Sequence, residues 1–137
     1  MKEKIGDLWL EPADFRCIPT SGATDQNGCA LFDSSWALEA ARRYRDLDVD
    51  LGRLLAARGN HVHVLRPGLL SFPVKQFQWS GVSVPVVERS ARELCALVGD
   101  ATTVLPRLVD KDDDATWELV LNTLSSLPDN ILILRRA

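Results

Sequence analysis

Residues 102–134 read TTVLPRLVDKDDDATWELVLNTLSSLPDNILIL, and this stretch decides the fold. Thr102 to Pro106 is a short strand-like run without polar alternation. Trp117, Val120, Leu121 and Leu124 then fall on one face of a helix. Pro128-Asp129-Asn130 turns the chain, and Ile131 to Leu134 is an uninterrupted apolar strand. A strand with one wet face alternates apolar and polar residues, whereas a strand covered on both faces is apolar throughout. Strand, helix and strand in this order therefore predict part of a largely parallel sheet with helices on both faces.

Working outward, the same alternation extends towards the N-terminus. Ile5 to Leu10 and Phe15 to Pro19 are short strand candidates, and Thr20 to Gly28 is a polar loop. Asp33 or Ser34 can cap a helix whose apolar positions are Trp36, Leu38, Ala40, Ala41 and Tyr44. A second helix starts at Asp48 or Asp50 and closes near Gly59. His61 to Leu65 and Leu69 to Val74 are strands around a Pro67-Gly68 turn. Val87, Ala91, Leu94 and Val98 give the segment from Pro85 helical spacing. The expectation is one domain over residues 1–137: a three-layer α/β fold with a mixed, mostly parallel sheet of about six strands. In such sheets ligands bind beyond the carboxyl ends of the strands. The loops to watch are Thr20 to Ser35, Lys75 to Trp79 and Arg107 to Thr116.

Composition narrows the function classes. A net charge of −3 gives no electrostatic footprint for nucleic acid, and no apolar run approaches the roughly 20 residues of a membrane span. MKEKIGDLWL lacks the features of a secretory signal. Cys17, Cys29 and Cys95 are odd in number and widely spaced, which suits reduced thiols in a cytoplasmic protein. Asp110, Asp112 and Asp114 are spaced like the start of a calcium loop. Ala115 stands where that loop needs glycine, however, and Leu121 where it needs glutamate. His61 and His63 share a strand face, a geometry that can hold zinc, but no third ligand is evident. Neither a metal nor a cofactor is expected.

Several motifs together resemble the macrodomain family, in its bacterial and phage branch. Gly6-Asp7-Leu8 is similar to the family's opening, and Ile18-Pro19-Thr20-Ser21-Gly22 to a segment ending in Thr-Asn-Gly. Ala37-Leu38-Glu39-Ala40 resembles the helix after the first phosphate loop. Gly59-Asn60-His61-Val62-His63 and Ser71-Phe72-Pro73-Val74-Lys75 resemble the central strand pair, and Glu88 to Leu94 the long helix. Leu105-Pro106-Arg107, Trp117 and Ile131 to Leu134 fit the last third. The resemblance implies a cleft for ADP-ribose. In it Asp7 accepts from an adenine amino group, Ser21 stands by the distal ribose, and Lys75 stands near the cleft.

The loops depart from the family pattern. Backbone amides can ring a diphosphate only where side chains stay clear, hence glycine-rich turns. Asp33 and Ser35 occupy positions where glycine is expected, around the potential cap Ser34. Arg107 to Trp117 contains no glycine and four aspartates. Weak ADP-ribose binding in the usual pose follows. Asp33, Asp110, Asp112, Asp113 and Asp114 are expected to converge into an acidic cleft, with Arg107 offsetting part of the charge; the alternative is an outward, helix-capping loop. The candidate ligand-binding set is thus Asp7, Ser21, Gly22, Asp33, Ser34, Ser35, Lys75, Arg107, Asp110 and Asp112, with no catalytic residue assigned. The leading reading is a diverged module for a nucleotide-derived or other non-canonical ligand. Beside it stand a working ADP-ribose binder or ADP-ribosyl hydrolase, and a protein-interaction scaffold. Oligomeric state is not legible.

Overall fold

The computed structural model describes residues 1–109 and 113–136. Among them the element order is β1 (Lys2–Ile5), β2 (Phe15–Ser21), α1 (Ser35–Arg43), α2 (Leu47–Arg58), β3 (Val64–Arg66), β4 (Leu69–Lys75), α3 (Val84–Val98), β5 (Thr103–Pro106), α4 (Asp114–Leu124) and β6 (Ile131–Arg135). The described strands form one sheet in the order β1-β6-β5-β2-β4-β3. Every pairing is parallel except β3 with β4. The mixed, mostly parallel six-stranded α/β sheet expected from the sequence is what the described residues form.

Each inner strand feeds both layers. Leu105 and Ile133 pack with α3 and α4 through Val87, Leu94, Trp117 and Val120. Their neighbours Val104 and Leu134 pack on the other face with Trp36, Ala40, Leu47 and Leu51. This two-sided burial is why Val104 to Pro106 and Ile131 to Leu134 are uninterrupted apolar runs. Trp117 belongs to the core, at 6% exposure. Among the described residues no helix is long and apolar enough to cross a membrane.

The first strand departs from expectation. It lies at Lys2–Ile5, not Ile5 to Leu10, and all four residues are exposed. It is an edge strand held by its ladder to β6, so apolar content could not reveal it. Leu8, fully buried, instead sits in a turn. That turn is built on Asp7, whose backbone carbonyl accepts from Leu10 and Glu11.

One irregularity positions the site. β2 pairs with β4 from Arg16 to Ser21, but with β5 only at Phe15 and Arg16. Beyond Arg16 the ladder between β2 and β5 stops. Pro19 lies in that unpaired stretch, where a missing N–H removes no ladder bond on the β5 side. The sheet is thus open at the carboxyl ends of its two central strands.

Candidate functional site

A cleft of about 650 Å³ occupies that opening, lined by residues of β1, β2, β6, the start of α1 and the segment after β5. Pro19 comes from β2, Ser34 and Ser35 from the start of α1, and Arg107, Leu108 and Val109 from the segment after β5. Ile5, Trp36 and Leu134 supply apolar wall, and Arg135 and Arg136 complete the lining. This is the position that parallel-sheet topology assigns to ligands.

The α1 end of the cleft is organised by Ser34. Its Oγ accepts from Ala37 N at 3.1 Å, capping the helix, and donates to the Pro19 carbonyl at 3.2 Å. The serine hydroxyl is therefore occupied twice, once by the helix and once by the strand that lost its ladder. The first-turn amides behind it give this end a partial positive charge.

Among the described residues the charged lining is basic. Arg107 donates to the Val109 carbonyl at 3.2 Å and to Asp114 at 3.1 Å, and lies 5.5 Å from the Trp117 ring centroid. Arg136 stands 3.8 Å over the Trp36 ring and donates to Glu39 at 2.6 Å. Glu39 also accepts from the Trp9 indole at 2.9 Å. Burial pushes the Glu39 carboxyl up, but the bonds from Trp9 and Arg136 and the charges of Arg136 and Arg43 outweigh it and hold the group below its usual range. The Arg135 guanidinium makes no hydrogen bond or ion pair among the described residues.

The described part of the cleft differs from the acidic one expected from the sequence. Among the described residues no carboxylate lines the cleft. Asp113 is exposed and caps α4, its carboxylate accepting from Thr116 N at 3.1 Å. Asp114 is 86% exposed beside Arg107. Both follow the outward, helix-capping alternative, in which carboxylates complement a helix N-terminus. Asp110 and Asp112 lie outside the described residues.

The remaining candidates divide. Ser34, Ser35 and Arg107 line the cleft. Asp7 does not; its Oδ1 accepts from Trp9 N at 2.8 Å and shapes the turn. Ser21 is buried at the end of β2, with Oγ accepting from Ala23 N at 3.2 Å. Gly22, Asp33 and Lys75 lie outside the lining, and Asp33 is ion-paired to Lys75 at 2.5 Å. The two histidines serve different partners. His61 Nδ1 is 2.7 Å from Glu93, and buried His63 lies 2.9 Å from the Gly59 carbonyl. The described residues contain no group of three or more potential metal ligands.

The sequence reading passed over Arg135, Arg136, Pro19 and Ile5. A signal for the arginine pair existed: they directly follow the apolar strand Ile131 to Leu134, hence its carboxyl end.

Comparison with known proteins bears on the fold. The macrodomain of Mycobacterium tuberculosis DarG superposes with a TM-score of 0.76 at 15% identity, over 99% of this chain and 97% of that one. The macrodomain of Thermus aquaticus DarG gives 0.72 at 12% identity, over 99% and 97%. Thermosipho africanus DarTG in complex with ADP-ribose gives 0.69 at 12%, over 98% of this chain and 41% of that one. No protein-family model matches the chain, nor does any curated protein. The fold is that of macrodomains.

Proposed function

We propose that the cleft between β2 and β5 binds an anionic, nucleotide-derived ligand of the ADP-ribose class, and that arginine side chains take over phosphate contacts from a glycine-rich backbone ring. The observation that carries this reading is the cleft lining: Arg107, Arg135 and Arg136 together with the N-terminus of α1, around an apolar wall of Ile5, Trp36 and Leu134. Guanidinium groups match phosphate oxygens in geometry and charge. An apolar, aromatic wall suits a flat base. The macrodomain fold, and the ADP-ribose named with one of the similar structures, support this ligand class.

Arginines and backbone amides are not equivalent. A preformed ring of amides costs little to order, whereas each long side chain loses rotamer freedom on binding. Arg107 and Arg136 must also share their charge with Asp114 and Glu39. ADP-ribose is accordingly expected to bind with a dissociation constant above ~100 µM at about 0.15 M salt, some 5.5 kcal/mol of binding energy. Affinity should rise as salt is lowered, because charge pairs supply it.

Titration calorimetry with ADP-ribose and ADP at low and near-physiological ionic strength tests the proposal. Salt-sensitive heats that Arg135→Gln weakens roughly tenfold, the worth of ~1.4 kcal/mol, are the expected result. Salt-insensitive, low-micromolar binding unaffected by Arg135→Gln would rule out the arginine-based site. Silence with both ligands at low salt would rule out the nucleotide reading itself.

A further inference from the structure

Trp36, Glu39 and Arg43 fall at i, i+3 and i+7 of α1 and so form one row along the helix. Two segments from elsewhere in the chain lie across that row. From the end of β6, Arg136 stands 3.8 Å over the Trp36 ring, and its Nη2 donates to Glu39 Oε1 at 2.6 Å. From the turn after β1, the Trp9 indole donates to Glu39 Oε2 at 2.9 Å. The Arg43 guanidinium lies 4.6 Å from the centre of the Trp9 ring, and Tyr44 packs at 6.5 Å. That turn is fixed by Leu8, fully buried, whose carbonyl accepts from Arg16 Nε at 2.9 Å. Each oxygen of the Glu39 carboxylate thus has its own donor, while Glu39 itself stays outside the cleft lining.

We infer that Glu39 is a positioning residue for the anion site, holding the Arg136 guanidinium on Trp36 so that its charge is presented to the cleft before a ligand arrives. The inference rests on the nucleotide reading of the cleft. A cation over an indole is kept near the ring but is free to slide and turn upon it. A carboxylate fixes direction as well, because the charge-assisted bond it accepts is short and aimed. The Arg136 side chain is 47% exposed, and among the described residues only its Nη2 is hydrogen-bonded, which leaves the other donors for a phosphate. Without Glu39 the ligand itself must order this long side chain, which weakens binding by about 2- to 10-fold. A carboxylate behind the guanidinium also repels the same anion. At ~8 Å through solvent that repulsion is worth about twofold, and salt reduces it further. Positioning is the larger effect, and replacing Glu39 moves the two in opposite directions.

The test is a set of NMR titrations with ADP at about 0.1 M salt, where exposed charges are largely screened beyond ~10 Å. The intact chain is compared with Glu39→Gln, Arg136→Gln and the double variant. An amide keeps the shape of the Glu39 side chain but has one oxygen for two donors. Glu39→Gln should weaken ADP binding ~3- to 5-fold, although it removes a negative charge. In the Arg136→Gln background the same change should cost less than about twofold, because the two residues act as one unit. Unchanged or tighter binding by Glu39→Gln overturns the inference, since Glu39 then only competes for the charge of Arg136. An equal loss in both backgrounds overturns it too, as the mark of a merely structural role. In either case a loss with Arg136→Gln alone leaves the nucleotide site standing, whereas no ADP binding by the intact chain overturns both. Should circular dichroism show Glu39→Gln unfolded, Trp9→Phe removes only the indole donor and keeps a ring for Arg43 and Tyr44. A loss of about twofold or more confined to the chain that retains Arg136 then supports the inference, and no loss, or an equal one in both backgrounds, overturns it.

Discussion

Residues 22–34 follow β2 and residues 76–83 follow β4; both connections are polar, contain glycine, and lie at the carboxyl end of the sheet. The first is docked by its backbone. Asp25 Oδ1 accepts from Asn27 N at 2.8 Å and Cys29 N at 3.0 Å, and Leu31 N donates to the Ala23 carbonyl at 3.0 Å. Ala30 N reaches the Asp48 carbonyl on α2 at 2.9 Å, and the Gly28 carbonyl presses against Gly52 of the same helix. The second is secured chiefly at its ends, by Asn60 Nδ2 to the Lys75 carbonyl and Gln76 Oε1 on one side and by Ser83 N to the Val74 carbonyl at 2.8 Å on the other. Between them Phe77 and Trp79 stack on each other, 4.8 Å apart, and Trp79 remains 83% exposed. The loop richer in large apolar side chains is thus the one left in water. Backbone donors and acceptors must find partners wherever a loop is buried, and only the first loop has a helix placed to supply them.

The contrast breaks most visibly at Gly52. A Cβ there would lie 1.9 Å from the Gly28 carbonyl oxygen, a backbone atom that cannot rotate aside. Gly52→Ala should destabilise the domain by about 3 kcal/mol, lowering the melting temperature by roughly 10 °C. A melting temperature equal to that of the parent in thermal denaturation would mean that the first loop is not docked as described.

A smaller effect sharpens the comparison from the other side, through the segment that carries Asn60. Glu93 on α3 fixes this segment, accepting from Val62 N at 3.0 Å and lying 2.7 Å from His61 Nδ1. Burial pushes the Glu93 carboxyl up, but the bonds from Val62 and His61, with the charges of His61 and Arg89, hold it below its usual range. A carboxyl depressed in the folded state binds fewer protons than in the unfolded chain, where its value is about 4.3. Its contribution is therefore full above that value and is lost as pH falls through the folded one. Glu93→Gln should cost about 1 kcal/mol at neutral pH and flatten the acid limb of the stability profile. Urea titrations across pH 2–7 check both, and an unchanged acid limb would remove Glu93 from the anchor.

The smallest effect belongs to the exposed stack. Trp79→Ser should change stability by less than ~0.5 kcal/mol, since little of the ring is buried. A loss above about 1 kcal/mol in the same urea titration would show that the second loop is packed more like the first.

Much of this architecture was legible from residue pattern. The uninterrupted runs Thr102 to Pro106 and Ile131 to Leu134 announced strands covered on both faces, and Val87, Ala91, Leu94 and Val98 announced the helix that covers one of them. These signals survive in the sequence because burial acts on each side chain locally. The exposed edge strand Lys2–Ile5 left no such trace, since its stability comes from a ladder to a strand at the opposite end of the chain.

Sequence by itself also placed the loops after β2, β4 and β5 at the carboxyl edge of the sheet, a local property of element order. Tertiary structure alone decided which charges line the described part of the cleft. Whether an aspartate faces a ligand or solvent depends on the helix it caps and the cation it meets. Asp113 and Asp114 turned to α4 and Arg107, and Asp33 turned to Lys75, 42 residues away. Three arginines from the ends of two neighbouring strands were left to line the opening. Charge counts are additive along a chain, but the field in a cleft depends on which side chains the fold brings to face one another.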